Sequence, residues 1–147
     1  MDMLRDVAPG AHMITDAYVN WFIVEGDEGR LTIVDAGHPR SWDSLHEALG
    51  TLGRRPDDVA AIVLTHGHFD HVGFAERARR ELGVPVWAPE GERYLARHPW
   101  SYRHEHNRAL WGVRHPDFLP RLAAMARAGA LRVPGVREVR PLSLIHI

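Results

Sequence analysis

The sequence predicts an α/β protein, and three observations support this fold class. Two runs rich in aromatic and β-branched residues, 18–25 and 31–34, are separated by turn-forming residues at 26–29. At 41–49, apolar residues recur with the spacing of one helical face. The apolar residues at 60–64 lie between polar ones, and so short a run is typical of a buried strand.

The remaining elements follow from local signals along the chain. The first two runs form a predicted hairpin, and Ser41 offers an N-cap for the helix that follows. Residues 74–82 have a helical pattern that stops at Gly83, and 84–87 have the composition of another strand. From about 90 to 130 the pattern is helical and rich in Arg, Trp and His, which predicts a helical insertion.

Composition narrows the possible functions. The 147 residues are 45% hydrophobic, which suits one domain with an apolar core. A net charge of −1 provides no basic surface for nucleic acid or for an anionic membrane. No run approaches the ~20 apolar residues of a membrane span, and the first residues lack a basic and apolar leader. All 18 basic residues are arginine, which suggests a GC-rich bacterial genome, and we expect a cytoplasmic protein.

The segment after the third predicted strand carries the most specific chemical signal. His66 and His68 are two positions apart in an extended segment, so their imidazoles point the same way and can bind one metal ion. Gly67 permits a tight turn between them, and Asp70 and His71 are placed to reach a second ion. Zinc prefers such ligands, and two ions that share a water form a hydrolytic centre. The alternative is a surface loop whose clustered histidines have no function.

The sequence H-G-H-F-D-H at residues 66–71 resembles the H-x-H-x-D-H signature of the metallo-β-lactamase superfamily. This superfamily consists mostly of hydrolases with a four-layer αββα sandwich and one or two metal ions. The order of hairpin, helix and motif strand agrees, as does the Val-Asp-Ala-Gly segment at 34–37. The resemblance covers about residues 10–140. It implies half of such a sandwich, formed by 1–141, because the family's later motifs do not appear.

The resemblance also implies a role for each polar residue of the motif. His66 and His68 would bind the first metal, and Asp70 and His71 the second. Asp70 would also act catalytically, by orienting the water or handling its proton. Asp35 matches a carboxylate beside the site that orients a ligand histidine, although aspartate before Ala-Gly is also a common turn former. One or two zinc ions are the implied cofactor, and iron or manganese are alternatives.

The implied function is that of a metallo-hydrolase. In such an enzyme a metal-activated water attacks an ester, thioester, lactone, amide or phosphoester in a small-molecule substrate. An iron-dependent oxidoreductase or dioxygenase of the same fold is an alternative. The family completes its centre with a distal histidine, a bridging aspartate and a final histidine, so we expect the chain as written to be an inactive fragment. A third hypothesis is a non-catalytic metal-binding or interaction module that forms a homodimer through an exposed apolar sheet face.

Two further groups of residues have less specific patterns. Residues 142–147 (Leu-Ser-Leu-Ile-His-Ile) are predicted to be a non-native tail, and a terminal strand is the alternative. Within the helical insertion, aromatic residues are expected to pack rather than to line a pocket, and scattered histidines fit no ligand spacing. The aromatic residues are Trp100, Tyr102 and Trp111, and the histidines are His98, His104, His106 and His115.

Overall fold

The computed structural model describes residues 1–101 and 118–143, and within these two ranges seven strands form one mixed sheet. The strands are β1 (Asp2–Ala8), β2 (Ala11–Asp16), β3 (Val19–Glu25), β4 (Leu31–Val34), β5 (Val59–Val63), β6 (Val86–Pro89) and β7 (Arg140–Leu142). The helices are α1 (Ser41–Thr51), α2 (Phe69–Val72), α3 (Ala75–Glu81), α4 (Arg93–Arg97) and α5 (Leu119–Arg127). Single helical turns include Pro56–Asp58 and Glu90–Glu92.

The sheet changes from antiparallel to parallel at its centre. The strands follow one another in chain order across the sheet, with β1 to β4 antiparallel and β4 to β7 parallel. Parallel neighbours need a crossover connection. Accordingly, α1 connects β4 to β5, and α2 and α3 connect β5 to β6. The predicted α/β class is therefore confirmed.

The two faces of the sheet differ in burial, because alternate residues of each strand point to opposite faces. One face carries fully buried residues such as Trp21, Ile33 and Ile62, which share an apolar core with Leu45 of α1 and Ala78 of α3. The residues of the other face are also apolar but only half-buried, and they include Met13, Phe22, Val24, Val34, Val63 and Trp87. The described helices therefore cover one face of the sheet more completely than the other.

The start of α1 differs from the prediction. Ser41 is the first residue of this helix, and Arg40 occupies the N-cap position without a side-chain capping bond. The Ser41 hydroxyl accepts a hydrogen bond from the His38 amide at 3.1 Å and donates one to the Asp16 carboxylate at 2.9 Å. Since this oxygen is engaged outside the helix, the predicted N-cap role of Ser41 is wrong.

The strands β1 and β2 have no counterpart in the prediction, and β7 shares only Leu142 with the alternative terminal strand. By contrast, β5 and β6 lie within one or two residues of the predicted positions. The residues of β1 are mostly exposed and mix charged with apolar side chains, so they lack a regular alternation. The short strand β7 depends on its neighbour β6, with Leu142 opposite Pro89. Such strands form because a partner offers unpaired backbone groups, which a local pattern does not reveal.

The predicted insertion and tail are described only in part. α4 and α5 lie in the predicted helical region, but residues 102–117 are outside the described ranges, so the extent of the insertion stays a prediction. Leu142 is the last residue of β7, and 144–147 also lie outside the described ranges, so the non-native tail and the terminal strand both stay predictions. Among the described helices, none combines the length and apolar character needed to cross a membrane. The singled-out residues that are not described are Tyr102, His104, His106, Trp111 and His115.

Candidate metal centre

The candidate centre lies where two neighbouring parallel strands end. Asp35 follows β4, and residues 65–68 follow β5. These two strands are parallel neighbours in the sheet. His68 is the N-cap residue of the short helix α2, which contains Asp70 and His71. Because the carboxyl ends of parallel strands meet at one edge of a sheet, residues far apart in the chain come together here.

Five side chains form two overlapping sets of candidate ligands. In one set the ligand atoms of Asp35, His66 and His71 lie within 4.8 Å of one another, and in the other those of His66, His68 and Asp70 do so. The ring centroid of His66 is 4.7 Å from that of His68 and 4.1 Å from that of His71. Imidazole and carboxylate donors at this density fit zinc, which binds three or four such groups. The structure therefore brings together all four ligands that the motif predicted.

The grouping of the ligands differs in detail from the sequence-based assignment. His66 belongs to both sets, and Asp35 contributes an oxygen to one of them. The predicted second-metal pair is also close, since Asp70 Oδ2 lies 3.8 Å from His71 Nε2. The assignment of each ligand to a particular ion stays a prediction, as does the catalytic role of Asp70.

Asp35 occupies an unusual backbone position that directs its carboxylate towards the motif. Its φ is 63°, in the left-handed region that aspartate tolerates better than most residues, and its side chain is buried. Oδ1 accepts a hydrogen bond from the Thr65 amide at 2.8 Å, and Oδ2 lies 2.9 Å from His71 Nδ1. A carboxylate in this position orients the imidazole and leaves Nε2 of His71 for a metal. The predicted role of Asp35 requires this contact with His71, and the role itself stays a prediction.

Thr65 extends this hydrogen-bonded chain to a second histidine. Its hydroxyl donates to Asp35 Oδ2 at 2.8 Å and lies 2.9 Å from His66 Nδ1. A hydroxyl has one proton to donate, so towards His66 the Thr65 oxygen acts as the acceptor of an Nδ1–H bond. His66 is thereby held as the tautomer whose Nε2 is available to a metal. The sequence pattern does not indicate this role of Thr65, because the role depends on the position of Asp35.

The electrostatic environment shifts the pKa values of His66 and His71 in opposite directions. Burial lowers the pKa of His66 below its ordinary value, and the neighbouring His71 and His68 lower it further. Burial also acts to lower the pKa of His71, but the hydrogen bond and charge of Asp35 outweigh it and raise that pKa above its ordinary value. Before a metal binds, the surroundings therefore favour the neutral form of His66 and the protonated form of His71, each relative to an ordinary histidine.

Gly67 lies between two candidate ligands in a space that admits no side chain. A Cβ at this position would lie 2.6 Å from Leu95 Cβ and would also collide with the Ala96 amide. The Gly67 amide donates a hydrogen bond to Glu92 Oε2 at 2.9 Å. The loop is therefore packed against α4 and bonded to the turn before it. Glu92 was not predicted as a site residue, because this contact joins segments that only the sheet brings together.

A row of aromatic rings lies behind the motif. His38 is fully buried and its ring centroid is 6.4 Å from that of Phe69, which stacks on Trp100 at 4.5 Å. Trp100 packs as predicted, yet 46% of its surface is exposed. Burial lowers the pKa of His38, although the Asp70 and Asp16 carboxylates oppose the shift. Among the described residues, neither ring nitrogen of His38 has a hydrogen-bond partner.

The mixed sheet and the ligand cluster together define a class of α/β protein with a candidate metal centre at the carboxyl ends of its parallel strands. The sequence profile of the Metallo-beta-lactamase superfamily matches residues 14–139. The chain belongs to this superfamily, as its motif predicted.

Individual proteins resemble parts of the chain. Metallo-beta-lactamase domain-containing protein 1 of Rattus norvegicus is 42% identical over 72 residues, which is 49% of this chain and 27% of that protein. A hydroxyacylglutathione hydrolase of Pseudomonas entomophila is 34% identical over 84 residues, which is 56% of this chain and 30% of that protein. The solved class B3 di-zinc metallo-beta-lactamase LRA-12 from an Alaskan soil metagenome gives a TM-score of 0.60 at 21% identity, over 69% of this chain and 38% of that chain.

These matches cover only part of each protein. The aligned segments span less than a third of the two relatives and less than two fifths of the solved structure. The structural likeness shows the fold, and the metallo-β-lactamase fold agrees with the predicted layered architecture.

Proposed function

We propose that this chain contributes the first ligands of a zinc-dependent hydrolase. The observation that carries this proposal is the overlap of two ligand sets, Asp35–His66–His71 and His66–His68–Asp70, at one edge of the sheet. Five donor side chains at this density suit one ion or two ions in close proximity. The di-zinc description of the similar lactamase structure supports zinc. The family signature implies further ligands, a distal histidine, a bridging aspartate and a final histidine, and these are part of the same proposal.

Zinc bound to such ligands supplies an acidified water and a Lewis acid that polarises the substrate oxygen. The residues of this chain have separate tasks. Asp35 orients His71, and Thr65 orients His66, so that both imidazoles present a fixed nitrogen. The Asp70 carboxylate lies among the ligand atoms, where it is placed to orient the water or to accept its proton. His68 completes the set with Asp70.

The substrate class we propose is a small molecule with an ester, thioester, lactone, amide or phosphoester bond. The hydroxyacylglutathione hydrolase among the relatives supports hydrolysis of a small molecule. A net charge of −1 favours neither nucleic acid nor an anionic membrane as partner. We also propose that the protein is bacterial and cytoplasmic. A homodimer is a further part of this proposal. Because one of the relatives is a rat protein, the bacterial source stays a prediction.

Zinc retention in matched histidine variants tests the metal assignment. We expect the purified wild-type protein to retain zinc after gel filtration, and the His68→Ala variant to lose most of it. His46→Ala is the control, because His46 is exposed on α1 and far from the motif in sequence. The measurement is metal content per protein by elemental analysis. Equal zinc retention in the wild type and in His68→Ala contradicts the assignment, and stoichiometric iron favours the oxidoreductase alternative.

Hydrolysis assays on the full-length protein test the reaction. A panel of small esters, thioesters, lactones, amides and phosphoesters is compared before and after chelation of the metal. We expect zinc-dependent turnover of one of these classes. A zinc-loaded full-length protein that hydrolyses none of them contradicts the proposed function.

A further inference from the structure

We infer that Glu92 is a positioning residue for the metal centre, which it serves by holding the backbone between His66 and His68. The inference rests on the proposed function, because it takes these two histidines as metal ligands. Glu92 lies in the helical turn Glu90–Glu92 that follows β6, outside the motif. It acts on the ligands through a backbone group and does not belong to either ligand set.

The contact that carries the inference is a hydrogen bond to the peptide between the two ligands. The Gly67 amide donates to Glu92 Oε2 at 2.9 Å across 25 positions of sequence. A peptide unit is planar, so a bond that fixes this amide also fixes the orientation of the His66 carbonyl and restricts rotation about Gly67. Glycine is the residue with the widest choice of backbone conformation. The hydrogen bond therefore restricts the residue that has the widest choice of backbone conformation between His66 and His68.

Close packing restricts the loop from another direction. Gly67 is buried, and a Cβ on it would lie 2.6 Å from Leu95 Cβ and collide with the Ala96 amide. The loop thus lies directly on the backbone of α4, which begins one residue after Glu92. The glycine gives the space for this approach, and Glu92 satisfies the amide that the approach removes from water.

The neighbouring acid of the same turn has a different contact and provides a matched control. Glu90 forms an ion pair with Arg93, with Oε1 and Oε2 at 2.8 and 3.1 Å from Nη1, and its side chain is 71% exposed. Among the described residues the Glu90 carboxylate is bonded to Arg93, whereas the Glu92 carboxylate accepts the partly buried hydrogen bond from the motif loop. The effect of removing Glu92 can therefore be separated from the general effect of removing a carboxylate from this turn.

Metal affinity in three variants tests the inference. Zinc affinity is measured by competition with a chromophoric chelator, and the absorption spectrum of bound cobalt reports the ligand geometry. We expect Glu92→Ala to weaken zinc binding by about 10- to 100-fold and to alter the cobalt spectrum, as losses of ligand-supporting hydrogen bonds do. Glu92→Gln should restore both, because its amide oxygen accepts the same bond. Glu90→Ala should bind like the wild type.

The outcomes distinguish this inference from the proposed function. If wild type binds neither ion, the metal assignment fails and the Glu92 inference fails with it. If wild type binds and Glu92→Ala matches it in affinity and spectrum, only the Glu92 inference is overturned. It is also overturned if Glu92→Gln is as weak as Glu92→Ala, because the charge and not the hydrogen bond is then what matters.

If Glu92→Ala does not fold, hydrogen exchange in the wild type still tests the inference. The Gly67 amide should exchange its hydrogen with solvent at least 10-fold more slowly than an unprotected peptide, because it is bonded to Glu92. Exchange at the unprotected rate would overturn the inference without any variant. The same experiment on Glu92→Gln should show retained protection.

Discussion

At the scale of single residues, the site depends on how Asp35, Thr65, His66 and His71 share their protons. The Asp35 carboxylate accepts from the Thr65 amide and hydroxyl and is paired with His71 Nδ1. The Thr65 oxygen in turn lies 2.9 Å from His66 Nδ1. Two imidazoles thereby present Nε2 to the same region. The positive φ of Asp35 is the backbone feature that places the carboxylate within reach of both partners.

The first prediction concerns the charge of Asp35. The substitution Asp35→Asn keeps a residue that tolerates φ of 63° and removes the negative charge. We expect zinc affinity to fall by about 10- to 100-fold, because His71 loses its anionic partner. The measurement is a chelator competition titration. Asp57→Asn is the control, since the Asp57 side chain is 86% exposed. Wild-type affinity in Asp35→Asn would show that His71 is oriented by other groups.

The second prediction concerns the pH dependence contributed by His38. Burial lowers the pKa of this histidine, so below about pH 6.5 the unfolded chain binds a proton that the folded chain does not. The contribution of His38 to stability is therefore complete above this pH and is lost as the pH falls towards the lowered pKa. We expect the free energy of unfolding of the metal-free protein to decrease as the pH is lowered through that window. The decrease should be steeper in the wild type than in His38→Asn.

Urea denaturation at a series of pH values measures this slope. The comparison of slopes removes the part due to His66 and His71, which both proteins contain. His46→Asn, at an exposed position of α1, should keep the wild-type slope. A His38→Asn protein with an unchanged slope would show that His38 titrates alike in the folded and unfolded chain.

At the scale of elements, the short helix α2 is held against the β4–α1 connection by close backbone contact. The Ala36 amide donates to the His71 carbonyl at 2.7 Å, and the Phe74 amide donates to the Ala36 carbonyl at 3.0 Å. Gly73 lies between these bonds, and a Cβ there would collide with the Gly37 carbonyl and with His38. A helix of one turn has little stability of its own, so these contacts hold Asp70 and His71 in place.

The third prediction tests this contact. We expect Gly73→Ala to lower the free energy of unfolding by about 1–3 kcal/mol or more, because the added methyl group meets backbone that cannot move alone. Gly50→Ala is the matched substitution on α1, where a Cβ meets nothing within 4 Å. It should stabilise the protein by up to about 1 kcal/mol, since alanine favours helix. Urea denaturation measures both. Equal stabilities for the two variants would contradict the close approach at Gly73.

At the scale of the whole molecule, the sheet joins an antiparallel half to a parallel half. The candidate ligands lie at the carboxyl ends of strands in the parallel half. The helices α1 and α3 contribute to the core on one face, while the opposite face keeps half-buried apolar residues such as Phe22, Val63 and Trp87. The ligands come from two strand ends and a helix. Metal binding would therefore connect separate elements and should act on the stability of the entire fold.

The fourth prediction follows from this linkage. A ligand that binds only the folded state stabilises it by RT ln(1 + [L]/Kd), about 2.7 kcal/mol at 100 times Kd. We expect the melting temperature to rise when zinc is added and to fall back when a chelator removes it. The His68→Ala variant should show a smaller rise at the same zinc concentration. A melting temperature that zinc and chelator leave unchanged would contradict a metal site made from several elements.

The α/β class and the family could be predicted from the sequence, and so could the proximity of His66, His68, Asp70 and His71. These ligands are close together in one loop, so local backbone geometry alone brings them near one another, and the structure places them within one cluster. The strands around them were also predictable, because apolar runs in the centre of a sheet have a clear pattern.

The residues that support the candidate ligands could be identified only from the folded chain. The bond from His71 to Asp35 spans 36 positions and that from Gly67 to Glu92 spans 25, and the Thr65 hydroxyl acts only because Asp35 is adjacent. The tertiary structure also decided the edge strands β1 and β7 and the role of Ser41, whose hydroxyl is bonded to Asp16. These features depend on which strands are neighbours and in which register, and that choice is made by packing of the whole chain rather than by local sequence.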